Sequence, residues 1–188
     1  MMLNNKRVIT RAVGLSTAAQ VSENDFVHCL IPTPEKGQEP ERLELQDVPK
    51  QKVSVPSAFW QQHKTELLQR NHEIAVQLGA ADFAEDVIDE LDDIKTIVLP
   101  FESAADGRSY SHAYLLRTRY DFNGQIRAIG DVHYDQLNFL ARCGCDAFEL
   151  PDDEDAERAL EAFEIFSEVY QPSADGGNLI FARRRLAH

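Results

Sequence analysis

The chain has 188 residues, a length that suits one domain and can bury a core. Its apolar fraction of 43% and charged fraction of 27% are those of a globular protein, not a disordered one. A net charge of -13 repels nucleic-acid phosphates, no run reaches the ~18 apolar residues that cross a bilayer, and MMLNNKRVITRAVG lacks the apolar stretch of a secretory signal, so a cytoplasmic location without nucleic-acid or membrane partners is expected.

Residues 1–55 read as a small β-rich extension and 56–188 as an α/β domain. In the extension, RVIT and FVHCLI have strand character, PTPEKGQEPERLE is a polar loop, and VSVP leads into a helix. Ser57 is placed to cap a helix over 57–70, with Trp60, Lys64 and Leu67 on one face. EIAVQLG follows as a strand. Asp82 and Glu85 then have capping-box spacing before a helix that aligns Phe83, Val87 and Leu91. KTIVLPF is the next strand, 109–119 the next helix, and DFNG a turn. QIRAIGDV is a strand, and YDQLNFLARCG a helix closed by Gly144 in the left-handed conformation. CDAFEL is a further strand. Residues 153–169 are expected as a long helix with Ala156, Leu160, Phe163 and Phe166 inward, and NLIFA as a last strand.

Apolar strands alternating with amphipathic helices predict an α/β fold with a mainly parallel sheet and right-handed crossovers. An open doubly wound sheet and a partial β/α barrel both fit. The units are too few for a closed eight-fold barrel.

Ligands in such folds bind beyond the carboxyl ends of the strands. Two segments there are the most polar, PFESAADGRS and GDVHYDQ, about one βαβ unit apart. In the first, Asp106 and Gly107 make a tight turn and Ser109 or Ser111 can cap a helix. Arg108 can grip an anion bidentately, or else pair with Asp106. Tyr110 and His112 stand on the first turn. In the second, Asp131 points into the mouth of the sheet or caps the next helix. His133 has an imidazole's capacity as a base, and Asp135 and Gln136 start the helix or, for Gln136, donate to a ligand.

The locality is rich in arginine, with Arg108, Arg117, Arg119 and Arg127 against Asp121, whereas 82–93 hold seven acids and no base. That acidic run reads as a solvated face. Glu102, Asp131 and Glu149 at successive strand ends form an oxygen-ligand set of the kind that holds Mg²⁺, although acids are common in such loops, and no metal is assigned. Cys143 and Cys145 supply too few ligands for a zinc or iron–sulfur site, and with Cys29 the odd count speaks against disulfides. No glycine-rich loop has dinucleotide or Walker spacing, so no cofactor is identifiable.

The segments DGRSYS, LLR, RAIGDV, DQL and RCGCDAF, with the closing FSEVYQP, resemble a bacterial family linked to assimilatory sulfite reduction, whose members are labelled oxidoreductases of that pathway. The resemblance spans about residues 45–185. Asp106, Arg108, Tyr110, Ser111, Arg117, Arg127, Asp131, Asp135, Gln136 and Arg142 match the family's pattern. Ser109 stands where the family has Gly, Cys145 where it has Phe, and His133 where it has a Leu-like residue, which weakens mechanisms built on Cys145 or His133.

Two functions follow. In the first, the chain is an accessory protein of sulfite reduction that binds the sulfite reductase or a small anion, the anion held by Asp106, Arg108, Ser111, Arg127, Gln136 and Arg142. In the second, it is an oxidoreductase of that pathway with an unidentified cofactor, Asp131 as acid or base and Tyr110 as proton donor.

Overall fold

A computed structural model describes residues 2–3, 7–11, 18–30, 43–103, 106–165 and 171–174. The strands are β1 (Met2–Leu3), β2 (Arg7–Thr10), β3 (Gln20–Glu23), β4 (Val27–Cys29), β5 (Val53–Pro56), β6 (Ile74–Gln77), β7 (Thr96–Phe101), β8 (Gln125–Gly130) and β9 (Ala147–Glu149). They form one mixed sheet in the order β1-β4-β5-β6-β7-β8-β9-β2-β3. From β4 to β9 every neighbour is parallel and follows in chain order. β1 lies antiparallel on one flank and the β2–β3 hairpin on the other. The strands of the N-terminal extension are thus built into both ends of the same sheet.

A chain that steps one strand in the same direction each time, with right-handed crossovers, puts its helices on one face. Those helices are α1 (Ser57–Leu68), α2 (Arg108–Thr118), α3 (Leu137–Cys143) and α4 (Ala156–Ala159). Val55, Val76, Ile97, Leu99, Ile126 and Phe148 turn to this face and join Trp60, Leu67, Leu116 and Leu140 in the main core. The other face is concave. It holds a small second core of Phe26, Ala75, Val98 and Ile129. There His28 of β4 bonds Glu149 of β9 at 2.8 Å. In a flat sheet, five strand spacings would separate these strands by about 24 Å. The sheet is therefore open and strongly curled, as in a partial β/α barrel. It has no reversal of strand order within the parallel run, so the doubly wound alternative falls away.

Several local expectations change. The segment after Asp82 is a 3₁₀ stretch, Ala84–Glu90, not an α-helix. Its buried residues, Ala84 and Val87, are three apart, which suits three residues per turn and leaves Phe83 exposed. Asp86, not Glu85, accepts from the Phe83 amide, while Asp82 accepts from the Ser57 hydroxyl and the Gly79 amide. Ser57 is therefore a buried tether to Asp82, and Pro56 takes the cap position of α1. Among the described residues, the helix after β9 is α4 followed by a 3₁₀ turn, Leu160–Phe163, capped by Asp155 and buried through Ala156, Ala159 and Ala162. Phe166 and NLIFA lie outside the described residues. Gly144 does close α3 with φ 114°. Arg117 of α2 reaches over it to the carbonyls of Gly144 and Gly124 and to Asp146 at 3.0 Å.

Glu149→Ala removes the acceptor of both His28 and Arg127 inside the curl. A loss of about 3–5 kcal/mol is expected, the cost of stranding a buried partner charge. Urea denaturation of the variant measures it; a loss under about 1 kcal/mol would show that the clasp does not hold the sheet.

Candidate functional site

β7 and β8 run side by side to their carboxyl ends, with Phe101 opposite Gly130. Gly130 has φ +95°, and a Cβ there would lie 2.4 Å from the Phe101 carbonyl oxygen. Only glycine permits this close approach, which lets the Asp131 amide donate to the same carbonyl at 2.7 Å. The two loops predicted to carry chemistry are thereby neighbours.

α2 begins at Arg108, so neither serine caps it. Ser109 lies inside the helix and donates back to the Pro100 carbonyl, and exposed Ser111 donates to that of Gly107 at 3.4 Å. Asp106 clasps Arg108 through Nε and Nη2 and also accepts from its amide. The clasp holds the Asp106 carboxyl down at about 2. Tyr110 packs its ring against Phe101 at 4.9 Å and Phe139 at 5.2 Å. Burial raises its pKa, so the phenol holds its proton more tightly than a free one. His112 is buried, its Nδ1 has no hydrogen-bond partner, and burial lowers its pKa.

On the next loop, His133 sits between two carboxylates, with Nδ1 2.7 Å from Glu154 and Nε2 2.9 Å from Asp131. The bond to Glu154, then that to Asp131, raises its pKa. The imidazole so ties the loop after β8 to the loop after β9. Gln136 accepts from the His133 amide and starts the turn into α3. The two acids flank opposite nitrogens of one ring and do not converge on a common point. Among the described residues, no group of His, Cys, Asp and Glu is arranged to hold a metal. Glu102 is exposed and Glu149 turns into the concave face, so the three strand-end carboxylates are not assembled.

Asp106 and Arg108 are thus brought together, with Ser111 on the exposed side of the same helix. Arg142 lies at the end of α3, where Nη2 donates to the Gln171 carbonyl at 2.6 Å. Arg127 is inside the curl. Its Nη1 donates to Asn24 at 2.8 Å and to Glu149 at 2.9 Å, and Nε and Nη2 donate to Gln125.

The same interior holds a chain of polar groups, of which Gln77, Ser54 and His28 were not singled out from the sequence and Glu149 was read there only as a strand-end carboxylate. Gln77 Nε2 donates to Ser54 Oγ at 2.6 Å. The Ser54 hydroxyl then has its proton for His28 Nδ1, also at 2.6 Å, which leaves Nε2–H for Glu149. The order is hydroxyl, imidazole, carboxylate, the order of an activated nucleophile. All three residues are 0% exposed, however, so the array acts here as a clasp within the fold. Its signal in the sequence was a lone polar residue inside an apolar strand, repeated in VHC, VSV, VQL, IRA and FEL. All three cysteines are buried, and burial raises the thiols of Cys29 and Cys145.

A protein-family comparison matches residues 75–181 to a bacterial protein family of unknown function (DUF934). The chain belongs to this family. No curated protein and no solved structure matches it. The family region contains both strand-end loops, α2, α3 and the Gln77, Arg127 and Glu149 members of the interior array. His28 and Ser54 lie before it.

Because His133 binds its proton more tightly when folded, its contribution to stability is present below pH 6.5 and is lost as pH rises through the folded pKa. Proton-detected NMR should place the His133 midpoint above 6.5 and move it down in Glu154→Gln. An unmoved midpoint would mean that Glu154 does not clamp the ring.

Proposed function

We propose that the chain is an accessory protein of assimilatory sulfite reduction that acts by binding the sulfite reductase through α2 and α3. The pathway rests on the sequence resemblance. The binding mode rests on one observation: Phe139 is 55% exposed and Tyr114 45% exposed beside the Tyr110 ring that Phe139 touches. Tyr110 meets Phe139 of α3, Tyr114 follows it by one turn of α2, and Arg142 follows Phe139 by three residues on α3. Aromatic rings with an arginine beside them are the composition of binding hot spots.

The nearby ionic groups favour a protein surface over a small anion as the ligand. Asp106 already occupies one edge of the Arg108 guanidinium, and Arg127 is buried away from it. The patch lies within the family-matched region, as expected of a shared partner.

Surface plasmon resonance with the purified sulfite reductase haemoprotein tests this reading. Saturable binding is expected. Phe139→Ala and Tyr114→Ala should each weaken it about tenfold or more, at unchanged thermal stability because both side chains are exposed. No binding, or binding indifferent to both substitutions, would overturn the proposal.

A further inference from the structure

Along α2 the inward side chains are Ser109, His112, Ala113 and Leu116, at the three- and four-residue spacing of one helix face. Ala113 and Leu116 are apolar, and Ser109 donates to the Pro100 carbonyl. His112 is the member of this face whose valences are not all met. Its ring donates to the Asp82 backbone carbonyl, and its Nδ1 is buried without a hydrogen-bond partner among the described residues. The bond to Asp82 therefore runs through Nε2, which assigns the neutral tautomer with a bare lone pair on Nδ1.

The charged groups around the ring are committed elsewhere. From the 3₁₀ stretch Ala84–Glu90 and the turn before it, Glu85 and Asp82 face His112. Asp82 accepts from the Ser57 hydroxyl and the Gly79 amide, and Glu85 from the Tyr120 hydroxyl, with Arg119 at 3.8 Å. On α2 itself Arg108 lies one turn earlier, clasped by Asp106. β7 carries no titratable side chain, and on α3 Arg142 is bonded to the Gln171 carbonyl while Cys143 lies by Tyr110. The two carboxylates favour a charged ring, but the loss of hydration on burial outweighs them and holds the His112 pKa below the ordinary 6.5.

We propose that His112 is an acid-operated latch between α2 and the 3₁₀ stretch Ala84–Glu90. A second proton goes on Nδ1, where the new N–H meets no acceptor in the closed interface. The ring regains hydration when the two elements part. α2 stays in place, because Arg117 ties it to Gly124, Gly144 and Asp146 and Leu116 is buried in the main core. The stretch moves, because its other side-chain ties to α2 are the exposed contacts of Glu85 with Tyr120 and Arg119, while Trp60 and Gln61 hold it to α1. Opening bares Ala84 and Val87 beside Phe83, so proton binding is linked to exposure of apolar surface. The closed form is favoured above pH 6.5 and loses up to about tenfold per unit as pH falls from there to the folded pKa, opposite in sign to His133. The latch does not depend on the partner proposed for the α2–α3 face.

Amide hydrogen exchange of the full chain at about pH 7.5 and about pH 5.5, corrected for the intrinsic chemical rate, tests the latch. Residues 84–90 should lose protection about tenfold at the lower pH while β7 and β8 keep theirs. His112→Gln retains a donor for the Asp82 carbonyl and has no ionisable group, so its protection over 84–90 should be the same at both pH values. An NMR titration of the unsubstituted chain needs no variant: the His112 ring should titrate with a midpoint below 6.5, and the amide shifts of 84–90 should follow the same curve. Equal loss of protection in His112→Gln, loss across the whole sheet, no loss in the parent chain, or a ring midpoint at or above 6.5 would overturn the proposal.

Discussion

The hydrogen bond from His28 to Glu149, reinforced by Arg127, joins the first and last strands of the parallel run across the inside of the sheet. Five strand steps lie between these residues along the sheet, yet their side chains touch. The curl makes that contact, and the contact in turn keeps the curl. The concave face is too narrow for a second layer of helices, so its own side chains must fill it. Small and aliphatic groups, Ala75, Val98 and Ile129, fill part of it. The rest is polar and offsets its desolvation by mutual bonding through Ser54, Gln77, Asn24 and Gln125, although Glu149 Oε2 and Asn24 Nδ2 stay buried without a hydrogen-bond partner among the described residues.

This arrangement leaves the two ends of the sheet with different characters. At the carboxyl ends, charged groups satisfy one another: Asp106 with Arg108, and His133 with Asp131 and Glu154. What that end turns outward is aromatic, on α2 and α3. At the amino ends, backbone carbonyls orient Arg70, while Lys52 pairs with Asp25 and Lys64 with Asp93. Self-satisfied ionic loops next to exposed rings are what the proposed protein partner would meet. No helix among the described residues is long and apolar enough to cross a membrane.

Much of the fold was legible because its signals are local. The β-branched run TIVL, the glycine after RC and the strand–helix alternation each act within a few residues. The adjacency of DGRSYS and GDVHYDQ followed from one βαβ spacing. Where the reading failed, two local solutions competed. Asp82, Glu85 and Asp86 all offer carboxylates at cap-like spacings, and the choice among them depended on Ser57, twenty-five residues away. The 3₁₀ form of 84–90 depended on which face met α1 and α2. The Asp106–Arg108 pair was legible as an alternative to a free guanidinium, because two residues suffice to make it. The site of Arg127 was not, since its partner Asn24 is 103 positions distant.

The amino-acid sequence by itself determined the α/β class, the parallel run, the left-handed close of α3 at Gly144, and the presence of polar residues inside apolar strands. Period and composition encode these, and neither needs a distant partner. Only the tertiary structure decided that the open sheet curls and is not doubly wound, and that His28, Ser54, Gln77, Arg127 and Glu149 meet inside it. Strand order and curl arise from which strand edges and side chains find one another through space. The same chain-distant pairing placed the arginines. It buried Arg127 and clasped Arg108, although in the sequence both are simply basic residues.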